Sequence, residues 1–456
     1  MMISMRAGQG FVLAALVVSA VVGQAPNTER PNFIVVMTDD QGWGDARYNG
    51  HEEIQTPHLD AMSRAGIRFD RFYATASMCS PTRAATLTGR SNLRLGIGGP
   101  IAAGRGHLAA EEITIAEALE PKGYVSGHFG KWHVGDIVND ADQTHVMHPG
   151  MAGFGEWFST RNVLPTLDPY RGKFDKSQHY YHNGRYVPES EGITGDDSKI
   201  VMDAALRFIT ARAEAGGPFF AFICFHAVHK PLGLIEDFAL PYASVEDKNR
   251  RIYYSNITAI DAAMGSLRSR LRELGIAENS LLLFCSDNGP NLKGEEGAGP
   301  GSKGPFRGRK GQLYEGGILV PGLLEWPAVV GEGRVVDTPV ITSDLFPTFL
   351  ELASVELPDR PYDGVSIASL IRGDGSLPER DLCFSAKGWL AIQSRGRKLV
   401  RQKGRSAAFQ LYDLTADPCE KTDLASDQPA VVSELRGKLD AWVKACEESQ
   451  SGADYR

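Results

Sequence analysis

The chain of 456 residues has only six cysteines, and none falls in a C-x-x-C pair. That spacing excludes a zinc ribbon and a dense disulfide framework. Cys224 and Cys285 lie in apolar runs, where buried free thiols belong. Cys419 and Cys446 are left as a candidate pair across the C-terminal segment. Basic residues are not in excess: 48 Lys and Arg face 56 Asp and Glu, for a net charge of −8. The charge signature of a nucleic-acid binder is therefore missing. If the substrate is an anion, positive charge has to be concentrated at the site. No apolar run reaches the roughly 20 residues that a membrane-spanning helix needs. The run Phe11–Val22 has 12 residues, follows Arg6 and leads into the small residues Gly23 and Ala25. That order is expected of a secretory signal over residues 1–23. The expected product is exported, periplasmic or extracellular, and free of the membrane after cleavage. Internal repeats and low-complexity linkers are also lacking.

What is present is an alternation of strand and helix signals from residue 31 onward. The apolar run Phe33–Met37 reads as a buried parallel strand ending in Asp39 and Asp40. Thr56, Pro57 and Gly66 bracket a helix. Thr114 and Glu117 form a capping box. Asp196–Ala215 reads as a helix, and residues 219–226 as a strand. From Tyr253 to Leu274 apolar residues recur every three or four positions, which predicts an amphipathic helix. Residues 280–285 give another buried strand. The order argues for an α/β domain with a mostly parallel central sheet flanked by helices, over residues 31–370. Residues 371–456 switch to short strands and a last helix, expected to be a smaller α+β subdomain with a short antiparallel sheet. Segment 137–193 is rich in His, Tyr, Asn and Gly and reads as a long excursion over the site.

In such sheets ligands bind beyond the carboxyl ends of the strands. The strand ends here carry Asp39-Asp40, Lys131 to His133, His226 to His229, and Asp287-Asn288. Three carboxylates and an amide are hard oxygen donors, which select calcium or magnesium. Asp-Asp alone would equally suit a solvated turn. Cys79, before Ser80 and Pro81 with Arg83 nearby, is by itself only a candidate reactive thiol.

The stretch CSPTRAATLTGR, residues 79–90, resembles the signature of type I sulfatases, the formylglycine-dependent branch of the alkaline phosphatase superfamily. The match covers Cys79, Pro81, Arg83, Thr88, Gly89 and Arg90, with Thr82 where the family often has Ser. Asp39-Asp40-Gln41-Gly42 is similar to the family's first metal segment. Gly130-Lys131-Trp132-His133-Val134-Gly135 resembles its GKWHLG motif, with Val134 for Leu. His229-Lys230-Pro231, Asp287-Asn288-Gly289 and the lysine segment from Lys310 to Gly317 follow in the family's order. The resemblance runs from about residue 31 to 445. It implies an alkaline-phosphatase-like fold and a sulfuric ester hydrolase. Cys79 would be oxidised to formylglycine by a formylglycine-generating enzyme, and the hydrated aldehyde would supply the nucleophilic oxygen. Asp39, Asp40, Asp287, Asn288 and the modified Cys79 would bind one calcium ion, in preference to magnesium. Arg83 and Lys131 would hold the modified side chain. His133 would take a proton from its second hydroxyl so that sulfate leaves. His229 and Lys310 would bind the sulfate ester and assist the departing alcohol.

Residues 153–170 resemble the corresponding segment of arylsulfatase-A-like and N-acetylgalactosamine-6-sulfatase-like carbohydrate sulfatases, which implies a sulfated carbohydrate substrate. Trp157, Tyr170, Tyr180 and Tyr181 are candidates to stack on sugar faces, and Arg161, Asn162, His179 and Arg185 to grip hydroxyl or sulfate groups. The alternative is that these aromatics fill the excursion's own core. Arg309 and Lys303 either face substrate or belong to a solvated loop. His226 either packs or orients. Two other readings remain open: a phosphonate or phosphate ester hydrolase of the same superfamily, and a catalytically silent glycan-binding homologue.

Overall fold

The computed structural model describes residues 30–137, 147–293, 299–404 and 406–455. The expected export signal over residues 1–23 and part of the 137–193 excursion lie outside the described residues. The centre is a ten-stranded sheet. Its middle is parallel: Ser280–Ser286, Asn32–Thr38, Phe219–Cys224, Val125–Lys131 and Glu156–Thr160 lie side by side in that order. Gly322–Glu325 adds an antiparallel strand beyond Ser280–Ser286. At the other edge the excursion contributes Glu156–Thr160 and the hairpin strands Tyr181–His182 and Arg185–Tyr186. The excursion is thus partly sheet, not a loop laid over it. Its strands are short and lack an apolar run, so sequence periodicity does not reveal them.

The runs Phe33–Met37, Phe219–Cys224 and Leu281–Cys285 are apolar along their whole length because both faces are covered. Alternation divides the side chains. Phe33, Val35 and Met37 join one core with Ala84, Leu87 and Phe349. Ile34 and Val36 join the other with Phe208, Ile257, Ile260 and Leu267, from helices Asp197–Ala215 and Lys248–Glu273. Thr114 caps its helix as expected, accepting from Glu117 N while Glu117 reaches back. Thr56 does not cap: its hydroxyl bonds Asp60, and the free amides of His58 and Leu59 donate to Asp261 at 3.1 and 2.8 Å. A longer acceptor from the neighbouring helix has taken the local residue's place.

A second sheet of four antiparallel strands follows: Leu382–Ala386, Trp389–Ser394, Arg397–Arg401 and Phe409–Asp413. Ile392, Leu399 and Leu411 face Leu435 and Leu439 of helix Pro429–Gln450. Phe384, Val400 and Tyr412 face the opposite way, onto Tyr73, Leu313 and Ile318 of the first unit. Asn256 lies buried in helix Lys248–Glu273 and spends its amide on the carbonyls of Gly233 and Ile252. All six cysteines are free. Cys446 lies 3.6 Å from the Ser91 hydroxyl, so it makes no bridge to Cys419.

The last residues return to the first unit. Arg90, 1% exposed at its side chain, pairs with Glu112 at 3.1 Å and with Asp454 at 2.6 Å. Arg94 pairs with Asp363, which also accepts from Trp442 Nε1 at 2.9 Å. Removing one partner of a buried pair leaves the other charge uncompensated. Arg90→Met is therefore expected to cost about 3–5 kcal/mol in urea unfolding. A cost within about 0.5 kcal/mol, typical of surface substitutions, would show that this clasp contributes nothing.

Candidate active site

The strand ends gather their polar side chains at one edge of the large sheet. Asp39 and Asp40 follow Asn32–Thr38, Lys131 closes Val125–Lys131, and Asp287 and Asn288 follow Ser280–Ser286. All but Asp40, at 2% exposure, are completely buried. Cys79 opens helix Cys79–Thr88, and Arg83 stands one turn further on the same face. Arg83 donates to Asp287 Oδ2 at 3.0 Å and to the Lys131 carbonyl at 2.8 Å. Lys131 pairs with Asp39. Lys310 sits 2.5 Å from Asp40 Oδ1 and 3.4 Å from Cys79 Sγ. Cys79 Sγ is 3.7 Å from Asp39 Oδ1. His229 Nε2 lies 3.8 Å from Asp40 Oδ2.

Backbone contacts lock these loops together. Asp39 N donates to Ala227 O at 3.0 Å, and Val228 N to Asp39 O at 2.8 Å. His133 N donates to Arg161 O at 2.9 Å. Asp40 and His133 have φ of 64° and 59°. Non-glycine residues seldom adopt that left-handed region, and its occupation at a functional cluster is stored strain held by the surroundings. Gly289 N donates to Gly317 O at 3.0 Å, so close that a Cβ on Gly289 would lie 2.1 Å from the Gly316 oxygen. No side chain is tolerated there without parting the Asp287 and Lys310 loops.

Donor atoms of Asp39, Asp40, Cys79 and Asp287 all lie within 4.8 Å of one another. Asp40 Oδ2 and Asn288 Oδ1 are buried with no hydrogen-bond partner. Orphaned, converging oxygens are what a hard divalent cation requires, so the residues fit a metal site. Burial alone would push Asp39 up, but Lys131, His229, Lys310 and Arg83 override it and hold the carboxyl well below the usual range. Burial, with Asp39 beside it, pushes Asp287 up in spite of Arg83. Burial opposes the charge on Lys310, yet Cys79 and the three aspartates keep its ammonium well above the ordinary value. Burial, with Lys131 and Arg83 adding, lowers His133 well below an ordinary imidazole. Both His133 nitrogens are buried without a protein partner. His133 is thus held as a neutral imidazole. Burial pushes the Cys79 thiol up to about 12, despite Lys131.

The expected substrate-gripping residues divide. Arg161 stands next to the cluster, partly exposed, with Nε 3.5 Å from Asp136 and its carbonyl on His133 N. Asn162 is also partly exposed, and its carbonyl accepts from Thr160. Arg309 is partly exposed beside Lys310. Trp157 is not available for a sugar: it is 4% exposed, packed in the core and stacked on His148. His179 is 8% exposed, with Tyr170 stacked 3.8 Å away and Tyr186 at 6.1 Å. Tyr180 is fully buried and donates to Asp197 at 2.6 Å. Trp157 and Tyr180 belong to the two cores on either face of the large sheet, and His179 packs against tyrosines of the excursion. Arg185 is tied to Glu191 on the surface. His226 is buried between Thr160 and Asp197, each 2.7 Å from a ring nitrogen, and does not reach the cluster by any bond described. Asp136, the partner of Arg161, has no sequence signal of its own.

Acids, cations and a buried cysteine gather at the carboxyl edge of this sheet, in an α/β domain of the alkaline-phosphatase-like fold. The chain belongs to the sulfatase family: the family model Sulfatase matches residues 31–355. A second model, N-sulphoglucosamine sulphohydrolase C-terminal, matches residues 303–445. Human arylsulfatase A is 30% identical over 427 residues, covering 89% of this chain and 81% of that protein. Human N-acetylgalactosamine-6-sulfatase is 34% identical over 381 residues, covering 80% and 70%. The solved structure of Ps i-CgsB in complex with k-i-k-neocarrahexaose superposes with a TM-score of 0.80 at 26% identity, covering 91% and 93%. The protein is a sulfuric ester hydrolase.

The thiol offers a direct check on the electrostatics. An ordinary cysteine ionises near pH 8.5, so its alkylation accelerates through about that pH. Unmodified Cys79, raised to about 12, stays neutral there. In folded protein its labelling by iodoacetamide, followed by peptide mass spectrometry, should stay far slower than that of an ordinary thiol and reach no plateau between about pH 7 and 10. A rise with an ordinary thiol's midpoint would contradict the burial of this sulfur.

Proposed function

We propose that the chain hydrolyses sulfate esters of carbohydrates through a formylglycine made from Cys79. The observation that carries this reading is the state of that thiol. It is 2% exposed, at a helix start, among Asp39, Lys131 and Lys310, and burial keeps it protonated. A neutral thiol is a poor nucleophile, so a plain cysteine has no evident use in this position. Converted to a hydrated aldehyde, the side chain would supply an oxygen nucleophile and a second hydroxyl.

The chain's own residues account for the remaining tasks. Asp39, Asp40, Asp287 and Asn288, with the modified Cys79, would hold calcium, which supplies positive charge against the sulfuryl oxygens when bound. Arg83 and Lys131 fix the nucleophile's surroundings by bridging Asp287 and Asp39. His133, neutral and unpartnered, accepts the proton of the second hydroxyl. Lys310 and His229, on the Asp40 side, face the ester and its leaving oxygen. Fixed donors in a dry site stabilise developing charge without reorganising. Arg161, Asn162 and Arg309 serve as rim contacts to sugar. The names of the carbohydrate-acting relatives support that substrate class. We further propose residues 31–370 as the catalytic unit, 371–456 as the C-terminal subdomain, and export to the periplasm or exterior. The order of residues 1–23 supports the last point. Among the described residues no helix is long and apolar enough to cross a membrane.

Cys79→Ala should abolish turnover while leaving the unfolding transition in place. The Cys79 peptide of active enzyme should carry the mass of the aldehyde. Sulfated oligosaccharides should be desulfated faster than aryl sulfates and far faster than matched phosphate esters. An active Cys79→Ala enzyme, or no reaction on any sulfated glycan, would sink the proposal. Calcium should raise the melting temperature of wild type, since a ligand at 100 times its Kd adds about 2.7 kcal/mol. Asp40→Asn should lose most of that shift.

A further inference from the structure

The loop that carries Lys310 is held from two sides. In front it bonds the other catalytic loops: Lys310 N donates to Pro290 O at 3.1 Å, and Gly311 N to Ser77 O at 2.8 Å. Behind it stands the four-stranded C-terminal sheet. Lys398, in the strand Arg397–Arg401, is completely buried. Its ammonium lies 2.8 Å from Glu315 Oε1 and 2.9 Å from Glu420 Oε1. The Glu315 carboxylate also accepts from Tyr73 Oη and Gln393 Nε2, both at 2.8 Å. Glu420 Oε2 accepts from Glu315 N at 2.7 Å. Every partner in this knot converges on Glu315, the first residue of the short helix Glu315–Ile318.

From Glu315 the constraint passes back to Lys310 through the main chain. Gly316 N donates to Arg307 O at 2.6 Å, and Gly317 N to Tyr314 O at 2.9 Å. The first of these bonds closes the turn that contains Lys310, and the second fixes the residues that follow Glu315. Arg307 adds a second tether: its guanidinium lies 4.0 Å from the Tyr314 ring centre and donates to Tyr412 Oη at 2.8 Å and to Glu420 O at 3.1 Å. Burying one ammonium between two carboxylates costs several kcal/mol in desolvation, so such a knot is a poor source of net stability. What it supplies is a fixed place for Glu315.

We propose that Lys398, acting with Glu420 through Glu315, is a positioning residue that sets where the Lys310 ammonium stands relative to Cys79 and Asp40. The proposal rests on the reading of Lys310 as a sulfate-contacting cation. It gives the C-terminal sheet a part in catalysis although none of its residues reaches the reacting atoms.

The test uses the full-length, matured enzyme below the melting temperature of each variant. Misplacement of a catalytic group by an ångström costs up to about 100-fold in rate, so Lys398→Met should lower kcat by about 10- to 100-fold with a much smaller change in KM. Lys398→Arg, which keeps the charge, should recover part of the loss. Lys310→Ala/Lys398→Met should turn over no more slowly than Lys310→Ala alone, because both changes remove the same contribution. A merely structural role would lower the melting temperature and leave kcat of the folded enzyme untouched. A slow Lys310→Ala alongside a folded Lys398→Met within about twofold of wild type would overturn the positioning role alone. Multiplicative losses in the double variant would also overturn it. Wild-type turnover in Lys310→Ala would overturn the reading of Lys310 and this proposal with it. If Lys398→Met does not fold, Glu420→Gln carries the same comparison, since its amide oxygen still accepts from Glu315 N.

Discussion

The structure depends on keeping Asp39, Asp40 and Asp287 together in a space from which water is excluded. Like charges at such separations repel strongly where the dielectric is low. The chain meets that repulsion with Arg83, Lys131 and Lys310, each from a different segment. No one segment can make the site. The parallel strands bring the acids to one edge, the Cys79 helix brings a guanidinium, and the loop after residue 300 brings an ammonium. The protein's own cations match its carboxylates one for one. A bound divalent ion would then leave the pocket positive toward an anionic ester, although the chain as a whole carries −8.

Two kinds of rigidity serve this arrangement. One is backbone interlocking, in which Gly289 and the Gly316-Gly317 pair approach too closely for side chains. The other is stored strain at Asp40 and His133. Both leave the floor of the site with little freedom. Arg161 and Asn162, proposed above as rim contacts, are partly exposed. On that proposal, substitutions that change substrate preference belong at the rim, where no such constraint acts on the backbone.

The ends of Asn32–Thr38 and Ser280–Ser286 were legible in the sequence because continuous apolar runs stop within two residues of an acid. The roles proposed for His133, His229 and Lys310 come only through resemblance, since an isolated histidine or lysine carries no local signal. Trp157, His179 and Tyr180, candidates for sugar contact in the sequence, are buried. In a polar, aperiodic segment an aromatic that stacks on ligand cannot be told from one that stacks on its own neighbours. The Glu315–Lys398 contact spans 83 residues and joins the two sheets, so no pattern within either segment announces it. Thr56 shows the same limit on a smaller scale: its capping task went to Asp261, more than 200 positions away.

The clasp between Arg90 and Asp454 closes over 364 residues of sequence. Arg90 follows directly on the helix that begins with Cys79. At about 5–20 residues per second, a ribosome needs on the order of tens of seconds to travel from one to the other. For that interval Arg90 has Glu112 but not Asp454. A folded thiol at 2% exposure is closed to any modifying protein. On the reading of Cys79 proposed above, its conversion belongs before that closure, and the order of synthesis would set when the side chain can be reached.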